Sequence, residues 1–154
     1  PTDPALRELV FVHLTGHGDL RFTEEEREAL RSWFRGGGFL HVDDNYGLDP
    51  AFRREVALLL PGAELVELPP NHPVYHAVHP FPEGLPKIHE HDGLPPRGYG
   101  VHLDGRLVLF YTHETDLGNG WEDAEVHDLP AELRRDALGM GVNLFVYALS
   151  RTVP

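Results

Sequence analysis

The first part of the chain contains a continuous apolar run of strand length, followed by apolar residues at helical spacing. Residues 8–14 form a β-branched and aromatic run that stops at a glycine turn, which predicts a buried strand. Thr23 and Glu26 make a capping box, and apolar residues at helical spacing follow until three glycines at 36–38. An amphipathic helix is therefore predicted between that capping box and the glycines.

The rest of the chain has hydrophobic patterns that predict four more strands and two more helices. Strands are predicted over 39–42, 64–68, 99–103 and 106–112, the last two joined by an Asp-Gly hairpin turn at 104–105, and helices are predicted from Asp49 and from Pro130. Strand, helix, strand, helix, strand in this order favours a mostly parallel sheet with helices on both faces and an antiparallel edge hairpin. The predicted fold class is α/β.

A proline-rich segment separates the third predicted strand from the hairpin. Residues 61–96 contain nine of the 14 prolines, a density that excludes long helices. A loop of this length within a compact domain is usually either functional or the result of wrongly assigned elements. This loop carries several histidines and acidic residues, so we interpret it as part of a site.

Composition removes several classes of function. The chain has 154 residues and a formal net charge of −12, which disfavours binding to nucleic acid or to anionic lipid. No apolar run is long enough to insert into a membrane. With no cysteine there is no catalytic thiol and no Cys-ligated metal, and no Walker, Gly-x-Gly-x-x-Gly or Gly-x-Ser-x-Gly motif is present.

Polar clusters follow the predicted strands on one side only. They occupy residues 15–18, 43–46, 71–72 and 113–116, whereas the turns at the opposite rim are poor in histidine. In α/β sheets, ligands bind outside the carboxyl ends of the strands. The asymmetry predicts a site at this rim.

Three groups within these clusters carry candidate chemistry. Asp43 and Asp44 follow the strand in a predicted polar turn, where they either make local side-chain hydrogen bonds or, as adjacent carboxylates, compete for a proton. In the second case one acts as an acid and the other as a base, nucleophile or metal ligand. His17, between two glycines, suits a ligand or a proton shuttle. His89 and His91 would share one face of an extended segment, a spacing that permits metal ligation without specifying it.

Longer motifs carry a family resemblance. One set comprises residues 23–40, Asn71-His72-Pro73-Val74 and Gly105-Arg106-Leu107-Val108, and it resembles the class I glutamine-amidotransferase-like superfamily, in its trehalose-utilisation (ThuA-like) branch. A second set comprises Thr15-Gly16-His17-Gly18, Asp43-Asp44-Asn45-Tyr46-Gly47, and the stretches 85–93 and 116–123, and it resembles more specifically the family named domain of unknown function 4159. The resemblance implies a flavodoxin-like three-layer α/β/α sandwich over residues 1–154, a single domain preceded by a further N-terminal unit, and a periplasmic or cell-envelope location.

The resemblance also restricts the chemistry. Amidotransferases carry a nucleophilic cysteine where this chain has Asp43, Asp44 and Asn45, and a carboxylate cannot form the required thioester. His113 and Glu114 follow a late strand, near the position of the superfamily's histidine, but they have no thiol to activate. Ammonia-releasing chemistry is therefore not expected.

Three functions remain open. The first is binding of a small polar ligand, of carbohydrate type, with hydroxyls bound by Asp43, Asp44 and Asn45; further contacts would come from His72, Asp116 and an aromatic face of Tyr46 or Trp121. The second is a hydrolase that uses a carboxylate or a divalent metal ion, its ligands drawn from His17, Asp43, Asp44, His89, His91 and His113. The third is a non-catalytic interaction module of a cell-envelope assembly, which would expose an apolar patch.

Overall fold

A five-stranded mixed sheet organises the chain. The computed structural model describes residues 1–150. The strands are β1 (Phe11–Gly16), β2 (Phe39–Asp44), β3 (Val66–Glu67), β4 (Arg97–Leu103) and β5 (Arg106–His113). Their order is β1-β2-β5-β4-β3, where β1, β2 and β5 are mutually parallel and β4 runs antiparallel to both of its neighbours.

Four helices accompany the sheet. They are α1 (Glu24–Arg35), α2 (Asp49–Leu59), α3 (Ala124–His127) and α4 (Ala131–Ser150), with 3-10 turns at Pro4–Glu8, Pro73–Tyr75 and Leu117–Gly120. The predicted capping box of α1 is present, since the Thr23 side chain accepts from the Glu26 amide and the Glu26 carboxylate accepts from the Thr23 amide. Within residues 1–150, the helices are too short or too polar to cross a bilayer.

The apolar side chains of the sheet are divided between two clusters. On one face, Leu40 and Val42 pack with side chains of α1 and α2. On the other face, Phe39 and Phe110 pack with α4 and with the segment that precedes β4. Because successive strand residues point to opposite faces, this division follows directly from alternation along β2. The α/β class is confirmed.

Helix α4 is apolar on its outward side as well as its inward side. Leu138, Val142 and Phe145 are 40%, 42% and 49% exposed, and Phe145 meets the ring of Phe11 at the edge of the sheet. This is the kind of patch that the interaction-module hypothesis expects.

Several predicted strand boundaries were wrong. The first strand begins at Phe11 rather than at residue 8, because Pro4 starts a 3-10 turn before it. The second strand continues through Asp44, where the ladder with β1 pairs Asp44 with Gly16. The third strand pairs antiparallel with β4. It is only two residues long, because the prolines at 69 and 70 cannot continue the ladder of hydrogen bonds.

Two glycines of β4 let the proline-rich segment lie on the sheet. A Cβ atom at Gly98 would overlap the Tyr75 hydroxyl and the Phe110 ring, and one at Gly100 would overlap Leu107. Tyr75 and Phe110 are both almost fully buried, so neither can move aside without opening the core.

We expect Gly98→Ala to lower the free energy of unfolding by about 2 kcal/mol, because the added methyl overpacks a buried aromatic contact. The measurement is urea unfolding followed by far-UV circular dichroism. Gly16→Ala is the matched control: it also adds a methyl within a strand, but nothing lies within 4 Å of the new atom. Equal losses in the two variants would contradict this account of β4.

Candidate functional site

Asp43 and Asp44 lie within β2 and point to opposite faces of the sheet. Asp43 pairs in register with Thr112 on β5 and contacts its hydroxyl, whereas the Asp44 side chain meets the Tyr111 hydroxyl on the other face. The prediction that they compete for one proton is therefore wrong, whereas the alternative that they make local turn hydrogen bonds is met by Asp44. Adjacent residues of an extended strand cannot share a proton, because their carboxylates are separated by the backbone.

Asp44 accepts hydrogen bonds at the entrance to α2. Its Oδ1 accepts from the amides of Tyr46 and Leu48, each at 2.9 Å, and its Oδ2 accepts from the Tyr111 hydroxyl at 3.2 Å. His113 Nε2 lies 3.8 Å from the same Oδ2. Asp44 thus fixes the loop before α2 and also holds a negative charge beside the His113 imidazole.

Asp43 is fully buried on the face that α4 covers. One oxygen accepts from the Thr112 hydroxyl and the other from the Gly118 amide at 2.7 Å. Burial raises the pKa of Asp43 to about 7, and the nearby charge of Asp116 acts in the same direction.

A row of polar side chains continues from Asp43 across the sheet. His41 Nε2 lies 2.9 Å from Thr112 Oγ1, and His41 Nδ1 lies 3.0 Å from His13 Nδ1. The sequence reading did not identify His13, His41 or Thr112 as site residues. A signal was available, since each histidine interrupts an otherwise apolar run, His13 in residues 11–14 and His41 in residues 39–42.

The rim brings together His89, His91 and Asp116. One donor atom from each residue lies within 4.8 Å of the other two. Asp116 also accepts from the side-chain amides of Asn45 and, at 2.6 Å, Asn119. Burial raises the pKa of Asp116, while the hydrogen bond from Asn45 and the neighbouring histidines act against that rise.

His91 has an unusual environment within this group. Its side chain is only 10% exposed, and its Nε2 atom is 3.4 Å from Asp116 Oδ2 but has no hydrogen-bond partner within residues 1–150. The exposed Tyr46 ring covers it, with 5.2 Å between the ring centroids. The Asp116 carboxylate is therefore the polar neighbour of this nitrogen, at ion-pair distance but without hydrogen-bond geometry, and a buried nitrogen left in this way costs free energy.

The loop that carries the two histidines is bound to the chain just after β5. The amides of Ile88 and His89 both donate to the Thr115 carbonyl at 3.1 Å. The Lys87 ammonium donates to the buried Glu114 carboxylate at 3.0 Å and to the Leu94 carbonyl at 2.8 Å. Glu114, predicted as catalytic, therefore forms a partly buried ion pair that holds this loop.

Three residues of the rim adopt backbone conformations that favour glycine. Tyr46, Glu114 and Asp116 have φ values of 119°, 60° and 62°. Each such residue costs on the order of 1 kcal/mol or more, and residues of this kind cluster at functional sites because the surrounding contacts hold them there.

The other predicted site residues are dispersed. His17 is exposed just beyond the end of β1, at the same rim. Trp121 is half-buried: its ring packs on His13, with centroids 4.8 Å apart, and its Nε1 donates to the Ala137 carbonyl.

His72 lies at the other end of the sheet. Its ring is 6.1 Å from that of His102, which pairs with Leu107, five residues before Thr112 on β5. That separation is roughly 15 Å along the strand. The prediction that His72 joins the rim was wrong because the chain turns back after the short β3.

We expect Lys87→Met to loosen the histidine loop. Burial by itself raises the pKa of Glu114, but the hydrogen bond and charge of Lys87, with His113, hold it below its ordinary value. The stabilisation from this pair is therefore present above the unfolded-state pKa of Glu114 and is lost as the pH falls.

Without the cation, the pKa of Glu114 should rise, the free energy of unfolding near neutral pH should fall by about 2 kcal/mol, and the Ile88 and His89 amides should exchange faster with deuterium. Arg97→Met is the matched control, because the Arg97–Glu67 pair is about half exposed on both sides. Unchanged exchange at Ile88 and His89 in Lys87→Met would contradict the assigned role.

Comparison with known proteins identifies one family. The family model described as "Domain of unknown function (DUF4159)" matches residues 1–149. Among curated proteins, none matches the chain.

Proposed function

The chain belongs to the DUF4159 family, and we propose that it binds a divalent transition-metal ion through His89, His91 and Asp116 and uses that ion to hydrolyse a small polar substrate. The observation that carries the proposal is the convergence of three donor atoms, one from each residue, within 4.8 Å of one another, together with the buried Nε2 of His91, which makes no hydrogen bond within residues 1–150.

The donor set determines the kind of ion. Two imidazoles and one carboxylate suit zinc, iron or manganese, and are too nitrogen-rich for the all-oxygen sites that calcium and magnesium prefer. Asn45 and Asn119 donate to the Asp116 carboxylate and orient it, as outer-shell partners of metal ligands do.

Three protein ligands leave coordination positions for water and substrate. A metal ion in such a site lowers the pKa of a bound water, which makes it a nucleophile near neutral pH. We assign proton acceptance to His113, a rim imidazole outside the three proposed ligands, whose Nε2 lies 3.8 Å from Asp44 Oδ2. The exposed Tyr46 ring and the Asn45 amide, next to His91 and Asp116, suit a hydroxyl-bearing substrate of carbohydrate type.

We also propose a fold and a superfamily for the chain. Helices against both faces of the sheet support a flavodoxin-like three-layer fold related to the class I glutamine-amidotransferase-like, ThuA-like proteins. The chain would then use a different set of residues at the same rim, since it has no cysteine for amidotransfer.

We expect untagged protein to bind Zn²⁺ or Mn²⁺ at one equivalent, measured by isothermal titration calorimetry and elemental analysis. His91→Ala and Asp116→Asn should weaken binding by roughly 100-fold or more, because each removes one of three ligands. His102→Ala is the matched control, since His102 is exposed on β4 at the far end of the sheet. Undiminished binding in His91→Ala would show that the ion, if bound, lies elsewhere.

Hydrolysis is tested separately with the metal-loaded protein on a panel of glycosides, esters and phosphoesters. We expect turnover that a chelator abolishes, and a kcat that His113→Gln lowers by roughly 100-fold with metal affinity unchanged. Metal binding at one equivalent with no turnover on any member of the panel would contradict the proposed hydrolase activity. The function left would be that of a metal-dependent ligand-binding domain.

A further inference from the structure

Four side chains form a continuous chain of hydrogen bonds on the face of the sheet that α4 covers. The contacts run from His13 Nδ1 to His41 Nδ1 (3.0 Å), from His41 Nε2 to Thr112 Oγ1 (2.9 Å), and from Thr112 Oγ1 to the Asp43 carboxylate. Strand register places them side by side, since His13 pairs with His41 and Asp43 pairs with Thr112. None of the four belongs to the proposed metal ligands.

The ionised Asp43 gives this chain a direction. A carboxylate only accepts, so the Thr112 hydroxyl donates to it; the Val42 carbonyl, at 3.3 Å, is the more distant acceptor. Thr112 Oγ1 must then accept from His41 Nε2–H, and His41 Nδ1, left without a proton, must accept from His13 Nδ1–H. His13 Nε2 is consequently a free lone pair.

That lone pair is not fully sealed from solvent. Within residues 1–150, the fully buried side-chain nitrogens and oxygens without a hydrogen-bond partner are Arg27 Nε and His91 Nε2, so His13 Nε2, which has no hydrogen bond, keeps some exposed surface. Gly118 lies beside it, where even an added Cβ atom would come only to van der Waals contact, 3.5 Å from His13 Nε2. The rings of His41 and Trp121 hold the imidazole, with centroids 4.9 Å and 4.8 Å from its own.

We propose that this chain is a proton relay that makes His13 Nε2 the proton-accepting atom for a water or a ligand hydroxyl at the rim, with Asp43 as the final acceptor. When His13 Nε2 takes a proton, His13 Nδ1 gives its own to His41 Nδ1. His41 Nε2 then gives its proton to Thr112 Oγ1, and the Thr112 hydroxyl gives its proton to Asp43. One proton enters, one carboxylate is neutralised, and each hydrogen bond is preserved with its direction reversed.

The relay avoids the unfavourable step of charging a buried imidazole. Both histidines are neutral before and after transfer and only exchange tautomers. Burial lowers the pKa of His13 to about 4, and burial, with the neighbouring His13, lowers that of His41 well below its ordinary value, so an imidazolium is disfavoured at either position. The basicity presented at His13 is therefore that of Asp43.

The groups around Asp43 tune that basicity in both directions. The Thr112 hydroxyl and the amides of Gly118 and Leu117 stabilise the carboxylate, whereas burial and the charge of Asp116 oppose ionisation. Together they leave the pKa of Asp43 at about 7, so the relay can both take and return a proton near neutral pH.

The test is an imidazole ¹H–¹⁵N correlation spectrum of the metal-free protein at about pH 8.5 and about pH 5.5, so that its outcome is independent of the metal proposal. At the higher pH we expect protons on His13 Nδ1 and His41 Nε2. At the lower pH we expect them on His13 Nε2 and His41 Nδ1, with the Asp43 carboxyl ¹³C shift changing over the same range.

Two variants separate a relay from a merely structural network. Asp43→Asn replaces the final acceptor with an amide that donates to Thr112. His13 should then carry its proton on Nε2, and His41 on Nδ1, at both pH values. Thr112→Val interrupts the series of hydrogen bonds, so the tautomers of His13 and His41 should no longer depend on pH. Thr15→Val, at an exposed position of β1, is the matched control and should behave as the wild type.

A wild-type protein whose two tautomers do not exchange as Asp43 titrates overturns the relay, as does double protonation of either ring before Asp43 is neutralised. Because this criterion uses the wild type, it decides the proposal even if a variant fails to fold.

Discussion

The two-residue period of β2 is the constraint on which the chemistry of this protein depends. Asp43 and Asp44 are adjacent in sequence, but one enters the core beneath α4 and the other enters the loop that leads to α2. Burial raises the pKa of Asp43, whereas Asp44 accepts two backbone amides and orders the entrance to α2. One strand therefore supplies two carboxylates of different character with no specific sequence motif beyond alternation.

The rim is assembled from segments that come from different parts of the chain. The proline-rich loop supplies His89 and His91, the end of β2 supplies Asn45 and Tyr46, and the turn after β5 supplies Asp116. Left-handed backbone at Glu114 and Asp116 opposes this assembly. Favourable contacts offset that strain, chiefly the Lys87–Glu114 pair and the amides that donate to Thr115.

Elements with local signals could be predicted from sequence. The capping box predicted α1, the Asp-Gly dipeptide predicted the hairpin of β4 and β5, and helical spacing after Pro130 predicted α4. The boundary of β2 was missed because aspartates are disfavoured in strands, a preference that hydrogen bonds from distant residues override at Asp43 and Asp44.

Features that depend on long-range contacts could not be predicted in this way. Asp116 was identified as a rim residue, but its approach to His91 depends on how a loop 25 positions away returns to the sheet. His13 and His41 were read as part of apolar strands, because the sequence does not show which strand lies next to which. The two histidines are neighbours because β1 pairs with β2 in the register that aligns His13 with His41.

Because Ile88 and His89 both donate to the carbonyl of Thr115, the histidine loop and the turn after β5 are held together by main-chain hydrogen bonds that do not involve the donor side chains. The main chain thus holds these two segments at a fixed separation in the folded protein. The entropy of closing this long loop is lost during folding. Under the proposed function, an ion that binds between the segments would not incur that entropic cost again, so the site would be preorganised.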